Sequence, residues 1–185
     1  MAFCESAKNV RLVVLDVDGT LTDGKIIIGP QGELCKHFHV RDGLGIKLLM
    51  NAGIDVAIIT GRSSAIVSAR MRELGVKDVI QGQTRKTEAF LALIQAKGLS
   101  PSQCACVGDD LPDLPLMQLA GCPCAPKDAV KEVIEASLFV SGKNGGEGAV
   151  RDIAEAILKA QGKWESVITH AFPIHQAPSD SRQKT

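Results

Sequence analysis

Short, continuously apolar runs recur along this chain, separated by longer stretches of helical periodicity, and that alternation is the most restrictive feature of the sequence. It calls for an α/β fold in which a parallel sheet, apolar on both faces, is covered by helices on either side. Arg11 to Leu15 reads as the first strand, and its unbroken hydrophobicity suits a central position. Further strands are expected at Asp55 to Ile59, Val79 and Ile80, Cys104 to Val107, Pro123 to Ala125, and Phe139 with Val140. Between them, Gly43 to Asn51, Ser63 to Leu74 and Thr87 to Lys97 read as helices, stopped by Gly53, Gly75 and Gly98. Leu114 to Ala120 and Val130 to Ala136 are also helical in pattern, and Ala149 to Gln161 reads as a closing amphipathic helix.

One segment breaks the alternation. Ile26-Ile27-Ile28 and Leu34 to Phe38 flank Gly29-Pro30-Gln31-Gly32, a hairpin signal over residues 24–40. It follows directly on the polar end of the first strand, so it is expected to project over whatever happens there. Residues 1–162 are therefore read as one domain with a hairpin flap. After Gly162 the pattern dissolves, and residues 163–185 are read as a mobile C-terminal tail.

The chain has 21 Lys plus Arg against 21 Asp plus Glu, a balance that argues against a polyanion-binding protein and hence against nucleic acid as partner. Aromatic residues make up only 3%, too few for stacking platforms that hold single strands. No apolar leader or membrane-length apolar run is present, and the chain is read as cytoplasmic, with its six cysteines reduced. Cys104-Ala-Cys106 and Cys122-Pro-Cys124 invite a four-thiolate zinc site. Their one-residue spacing and strand context favour small buried hydrophobes instead.

Chemistry concentrates at the strand ends. Asp16-Val17-Asp18-Gly19-Thr20 leaves the first strand, Thr60-Gly61-Arg62 the second, and Gly108-Asp109-Asp110-Leu111-Pro112-Asp113 the fourth, while Lys86 follows the third. In an open parallel sheet, ligands bind beyond the carboxyl ends of the strands, so these groups are expected to share one crevice. Two like charges at 4 Å repel by about 4 kcal/mol at an effective dielectric near 20, so the gathered aspartates require a cation. With oxygen ligands and no histidine nearby, Mg²⁺ is the expected ion. Lys86, Thr60 and the amides around Gly19 and Gly61 are donors suited to phosphoryl oxygens.

In this order the four segments resemble the motifs of the haloacid dehalogenase superfamily, over roughly residues 10–160. The resemblance implies a Rossmann-like three-layer α/β/α core and phosphoryl chemistry. It makes Asp16 the nucleophile and Asp18 the acid that protonates the leaving alcohol and then activates water. It assigns Mg²⁺ to Asp16, the Asp18 backbone carbonyl and Asp109, and leaves Asp113 to orient Lys86 or a metal-bound water. Asp110 stays open between helix cap and support for the site. The stretches from Asp16 to Thr60 and from Thr60 to Lys86 are too short for a cap domain.

More finely, Leu15 through Gly24, Val40-Arg41-Asp42-Gly43-Leu44-Gly45, Gly82-Gln83, Gly108 through Met117 and Gly145 through Arg151 are similar to the 3-deoxy-D-manno-octulosonate 8-phosphate (KDO 8-phosphate) phosphatase family. That resemblance implies a homotetramer assembled through the hairpins, and a C-terminal tail able to reach an adjacent site. It also implies a small phosphorylated acidic sugar as substrate. Arg62 and Arg70, near one face of a helix, are candidates for the sugar carboxylate, and Arg41 and Arg151 are further ones. His37 and His39, on the hairpin, are candidates to line a neighbour's site. A sialic-acid-type 9-phosphate is the alternative substrate. Alternatives of another class are a receiver-like signalling domain, against which the third strand offers no phosphoacceptor, and a non-catalytic binding module.

Overall fold

The computed structural model describes residues 2–173. Its centre is a six-stranded sheet, parallel throughout, in the order β5-β4-β1-β6-β7-β8, with β1 at Leu12–Leu15, β4 at Asp55–Ile59, β5 at Asp78–Ile80, β6 at Cys104–Val107, β7 at Cys122–Ala125 and β8 at Phe139–Val140. The chain runs outward from β1 through β4 to β5, then returns to β6 on the other side of β1. That reversal of direction opens a crevice at the carboxyl end of β1.

β1 is buried at all four positions, and its side chains alternate between two cores. Val13 and Leu15 pack with Ile46 and Leu49 of α2 (Val40–Asn51), Met71 of α3 (Ala65–Leu74), and Ile153 and Ile157 of α7 (Ala149–Ala160). Leu12 and Val14 pack with Phe90 and Ile94 of α4 (Lys86–Ala96), Met117 of α5 (Leu114–Met117), and Val133 of α6 (Lys131–Ala136). This is the three-layer α/β/α arrangement expected from the sequence. The same alternation separates the cysteines: Cys104 and Cys106 enter one core, Cys122 and Cys124 the other. All six are free; the four in the strands are buried and divided between the two cores, and burial pushes the Cys104 thiol up to about 11, so these four behave as packing groups and not as a four-thiolate site.

The hairpin forms where expected, from antiparallel β2 (Ile27–Gly29) and β3 (Gly32–Cys35), closed at its base by a bridge between Thr22 and Phe38. Ile28 and Leu34 on it are 71% and 67% exposed. Between Asp16 and Thr60 the chain is used by this hairpin, α2 and β4, and between Thr60 and Lys86 by α3 and β5, which leaves no inserted cap.

Two helices depart from the sequence reading. α1 (Ala2–Lys8) buries only Ala7 and is secured from outside, by the Gln161 amide donating to Ala7 O at 2.9 Å and Val10 O at 2.8 Å. α8 (Trp164–Ala171) falls in the stretch read as tail. It has eight residues and one buried side chain, Val167, too short an apolar stripe to register as periodicity. Val167 joins the core shared by α2 and α7, so the packed part of the chain extends past residue 162. His175 and the segment from Pro178 to Thr185, including its expected reach into a neighbouring site, lie outside the described residues.

Candidate active site

The backbone after β1 folds back on itself, with the amides of Thr20, Leu21 and Thr22 all donating to Val17 O at 2.9–3.3 Å. This tight turn requires Gly19 twice over. Its φ is +96°, and a Cβ there would sit 2.0 Å from Asp109 Oδ2. The turn is braced from below by the 145–148 loop: Gly146 N donates to Thr20 O at 3.2 Å, and a Cβ on Gly145 would meet Gly19 O at 1.7 Å. Asp42 fixes that loop, its carboxylate accepting from Gly148 N at 3.2 Å and Arg151 N at 2.8 Å at the start of α7.

On this platform Asp16, buried at the end of β1, faces Lys86 at the start of α4. Lys86 Nζ donates to Asp16 Oδ1 at 2.5 Å and to Asp113 Oδ1 at 2.6 Å. The other oxygen of Asp113 accepts from the amides of Asp109 and Asp110, at 3.1 and 3.4 Å, so Asp113 both orients the lysine and shapes its own loop. Asp110 caps the short turn Leu111–Asp113, accepting from Leu111 N at 2.8 Å, while also lining the crevice. The Thr20 hydroxyl donates to Asp109 Oδ1 at 3.1 Å. Thr60 is buried at the end of β4, its backbone bonded to Ile80 O and Gln83 N at 3.0 Å.

Carboxylate oxygens of Asp16, Asp109 and Asp113 lie within 4.8 Å of one another. Burial, reinforced by Asp113 and only partly offset by Lys86, pushes Asp16 up to about 6. Burial and the charges of Asp16 and Asp113 push Asp109 up to about 7. Burial works against the Lys86 ammonium, but Asp16 and Asp113 outweigh it and raise its pKa. One lysine does not neutralise three carboxylates, and the all-oxygen donor set suits a hard divalent cation. The residues present therefore fit Mg²⁺.

Asp16, Asp18, Thr60, Gly61, Arg62, Lys86, Asp109, Asp110 and Asp113 line one cavity of about 260 Å³. A larger cavity of about 400 Å³ at the amino ends of β4 and β5 contains none of them; there Lys97 pairs with Asp55 and Asp78 at 2.8 Å. Three candidate arginines stand apart from the phosphate-sized crevice. Arg70 pairs with Glu73 at 2.8 Å and lies against Gly43. Arg41 and Arg151 border a separate cavity of about 150 Å³, and Arg151 stacks 5.3 Å above the Trp164 ring. On the hairpin side, His37 lies 3.3 Å from Asp23, and His39 caps α2 by accepting from Arg41 N at 3.2 Å.

The carboxylate of Asp18 turns away from the aspartate cluster to two residues of opposite origin. Lys36, on the hairpin, donates to Asp18 Oδ1, and Arg62 Nε lies 3.6 Å from Oδ2. Burial works against the Lys36 ammonium, but its bonds to Asp18 and Glu33 hold its pKa above the ordinary value. Lys36 and Glu33 are absent from the motif reading. The available signal was their position, two charged residues in an apolar hairpin expected to overhang the site.

Residues 33–121 match the haloacid dehalogenase-like hydrolase family. The 3-deoxy-D-manno-octulosonate 8-phosphate phosphatase KdsC of Escherichia coli (strain K12) is 45% identical over 159 residues, covering 86% of this chain and 85% of that protein. The crystal structure of 3-deoxy-D-manno-octulosonate 8-phosphate phosphatase from Moraxella catarrhalis, in complex with magnesium, phosphate and KDO, superposes with a TM-score of 0.88 at 43% identity, covering 91% of this chain and 97% of that one. The corresponding phosphatase structure from Yersinia pestis gives a TM-score of 0.86 at 42% identity and 89% coverage of both chains. Fold, strand-end residues and likeness along nearly the whole length agree, and the chain belongs to the KDO 8-phosphate phosphatase family of the haloacid dehalogenase superfamily.

Proposed function

We infer that this protein is a Mg²⁺-dependent phosphomonoesterase that hydrolyses KDO 8-phosphate to KDO and inorganic phosphate, a step in lipopolysaccharide precursor synthesis. The observation that carries the reading is the buried Asp16, held by Lys86 beside Asp109 at the carboxyl end of the central strand, in a chain similar over most of its length to phosphatases of that sugar. Asp16, Asp109 and the backbone carbonyl of Asp18 would hold the ion. Bound there, it would supply positive charge that offsets the gathered carboxylates and stabilises the charge developing on the phosphoryl group.

An Asp16 carboxylate oxygen attacks phosphorus, and the bond to the sugar oxygen breaks, giving an aspartyl-phosphate. Asp18 gives its proton to the departing oxygen, then takes one from the water that attacks phosphorus and releases Asp16. Lys86, the Thr60 hydroxyl and the Gly61 amide bind phosphoryl oxygens, where charge accumulates. Arg62 at the rim meets the acidic sugar; Arg70, Arg41 and Arg151, the further candidates for the substrate carboxylate, stand outside this crevice in the single chain. A homotetramer is supported by the apolar Ile28 and Leu34 that the hairpin exposes. Six free thiols support a cytoplasmic location.

The test is phosphate release from KDO 8-phosphate and from a sialic acid 9-phosphate, each with Mg²⁺ and with chelator. Turnover of the first at much higher kcat/KM, abolished by chelation, supports the assignment. Preference for the second substrate replaces the sugar but not the chemistry, and release from neither overturns both.

A further inference from the structure

Lys36 stands outside all four strand-end loops, yet its side chain is only 1% exposed and its ammonium is bonded to Asp18. A lysine is withdrawn from water to this extent only against compensating partners. The second partner is Glu33, at 2.9 Å. Glu33 also lies 3.9 Å from Arg62 Nη2 and accepts from the hydroxyl of Ser64, the residue that caps α3. Since Arg62 Nε is 3.6 Å from Asp18 Oδ2, the two carboxylates and two cations close a ring of alternating charge. Half of that ring, Glu33 and Lys36, belongs to the hairpin. The other half, Asp18 and Arg62, belongs to the strand-end loops.

Resting on the phosphomonoesterase reading, we propose that Lys36 is a positioning residue for proton transfer at Asp18, and that Glu33 makes this positioning depend on how the hairpin is seated. An isolated aspartate side chain rotates about two bonds, and either oxygen can carry its proton. In the ionised form the ammonium on Oδ1 fixes the side chain and leaves Oδ2, which accepts no hydrogen bond among the described residues, as the oxygen through which a proton is exchanged. In the first half-reaction that proton passes to the sugar oxygen as its bond to phosphorus breaks. In the second, Oδ2 takes a proton from water as the new oxygen–phosphorus bond forms and the bond to Asp16 breaks. Lys36 remains an ammonium throughout, so the proton balance closes without it. Misplacing Asp18 slows both transfers without altering the groups that bind phosphate.

The experiment compares wild type with Lys36→Met, Lys36→Arg and Glu33→Gln on KDO 8-phosphate and on p-nitrophenyl phosphate, whose phenolate departs without protonation. Lys36→Met is expected to lower kcat on the sugar phosphate roughly 10²-fold, the lower range for an acid–base group, with KM changed less than about threefold. On the aryl ester, formation of the phosphoenzyme should be nearly preserved while its hydrolysis slows, giving a burst of p-nitrophenolate. Lys36→Arg should recover most of kcat, and Glu33→Gln should show the same pattern with a smaller loss. An equal loss of phosphorylation rate on both esters, an effect confined to KM, or no effect overturns the proposal. If circular dichroism shows that Lys36→Met does not fold, Glu33→Gln and Lys36→Arg are judged by the same criteria. Wild type inactive on both esters sinks the phosphomonoesterase reading itself; wild-type turnover matched by Lys36→Met sinks only the role of Lys36.

Discussion

Lys86 Nζ lies 2.5 Å from Asp16 Oδ1, and both side chains are buried. Burial makes the removal of one partner costly, because loss of the ammonium leaves Asp16 and Asp113 facing each other without a cation from the chain. Lys86→Met is expected to lower kcat by roughly 10²–10³-fold, the usual consequence of losing one electrostatic donor at a phosphoryl or oxyanion site. Steady-state kinetics with saturating Mg²⁺ checks it; a change of less than about threefold would remove Lys86 from the phosphoryl site.

Metal binding should appear as pH-dependent stability. Without metal, the folded-state values of Asp16, about 6, and Asp109, about 7, stand above the ordinary carboxylate range. The folded chain then retains protons that the unfolded chain has released, so stability is lost as pH rises from about 4 through 7, by an amount on the order of a few kcal/mol. Differential scanning fluorimetry in chelator should show Tm falling over that interval from this contribution. Mg²⁺ should raise Tm strongly at pH 8 and little at pH 5; a shift equal at both would contradict the carboxylate cluster as its site.

Gly19→Ala tests the close approach at the turn. The added Cβ would fall 2.0 Å from Asp109 Oδ2 in a backbone conformation with φ +96°. Either Asp109 moves or the turn opens, so Mg²⁺ affinity, read by titrating phosphatase activity, should weaken at least about tenfold, in the range seen when groups supporting metal ligands are removed.

Asp42→Ala removes both acceptors at the start of α7. The expected cost is about 1–2 kcal/mol, or roughly 2–8 °C in Tm for a chain of this size. Asp42→Asn retains one acceptor and should recover part of it. An unchanged melting temperature would show that the 145–148 loop does not depend on this cap.

Ile28→Asp with Leu34→Asp places charge on the exposed face of the hairpin. If copies assemble through that face, light scattering on the eluting protein should show a smaller species than wild type, with the monomer fold retained. An unchanged mass would place the interface elsewhere.

The sheet and the chemical cluster were legible in the sequence because both depend on local pattern. β1 reads as a buried central strand from Leu12 to Leu15 alone, and Asp16, Thr60, Lys86 and Asp109 follow strands that are identifiable one at a time. Parallel topology then brings them together. What pattern could not reveal depends on contacts between distant segments. α1 is held by Gln161 from the far end of the chain, and α8 buries only Val167. Lys36 acquires its partner Asp18 only when the hairpin folds back. The arginines Arg70, Arg41 and Arg151 have the right chemistry, but one chain places them on other surfaces.

The most direct test of the account is rapid acid quench of the reaction with KDO 8-phosphate, followed by mass analysis of the peptide containing Asp16, in wild type and in Asp16→Asn. Phosphorylated Asp16 peptide in wild type, no adduct in the variant, and turnover reduced by at least about 10³-fold are predicted. Full turnover by Asp16→Asn would contradict the covalent mechanism.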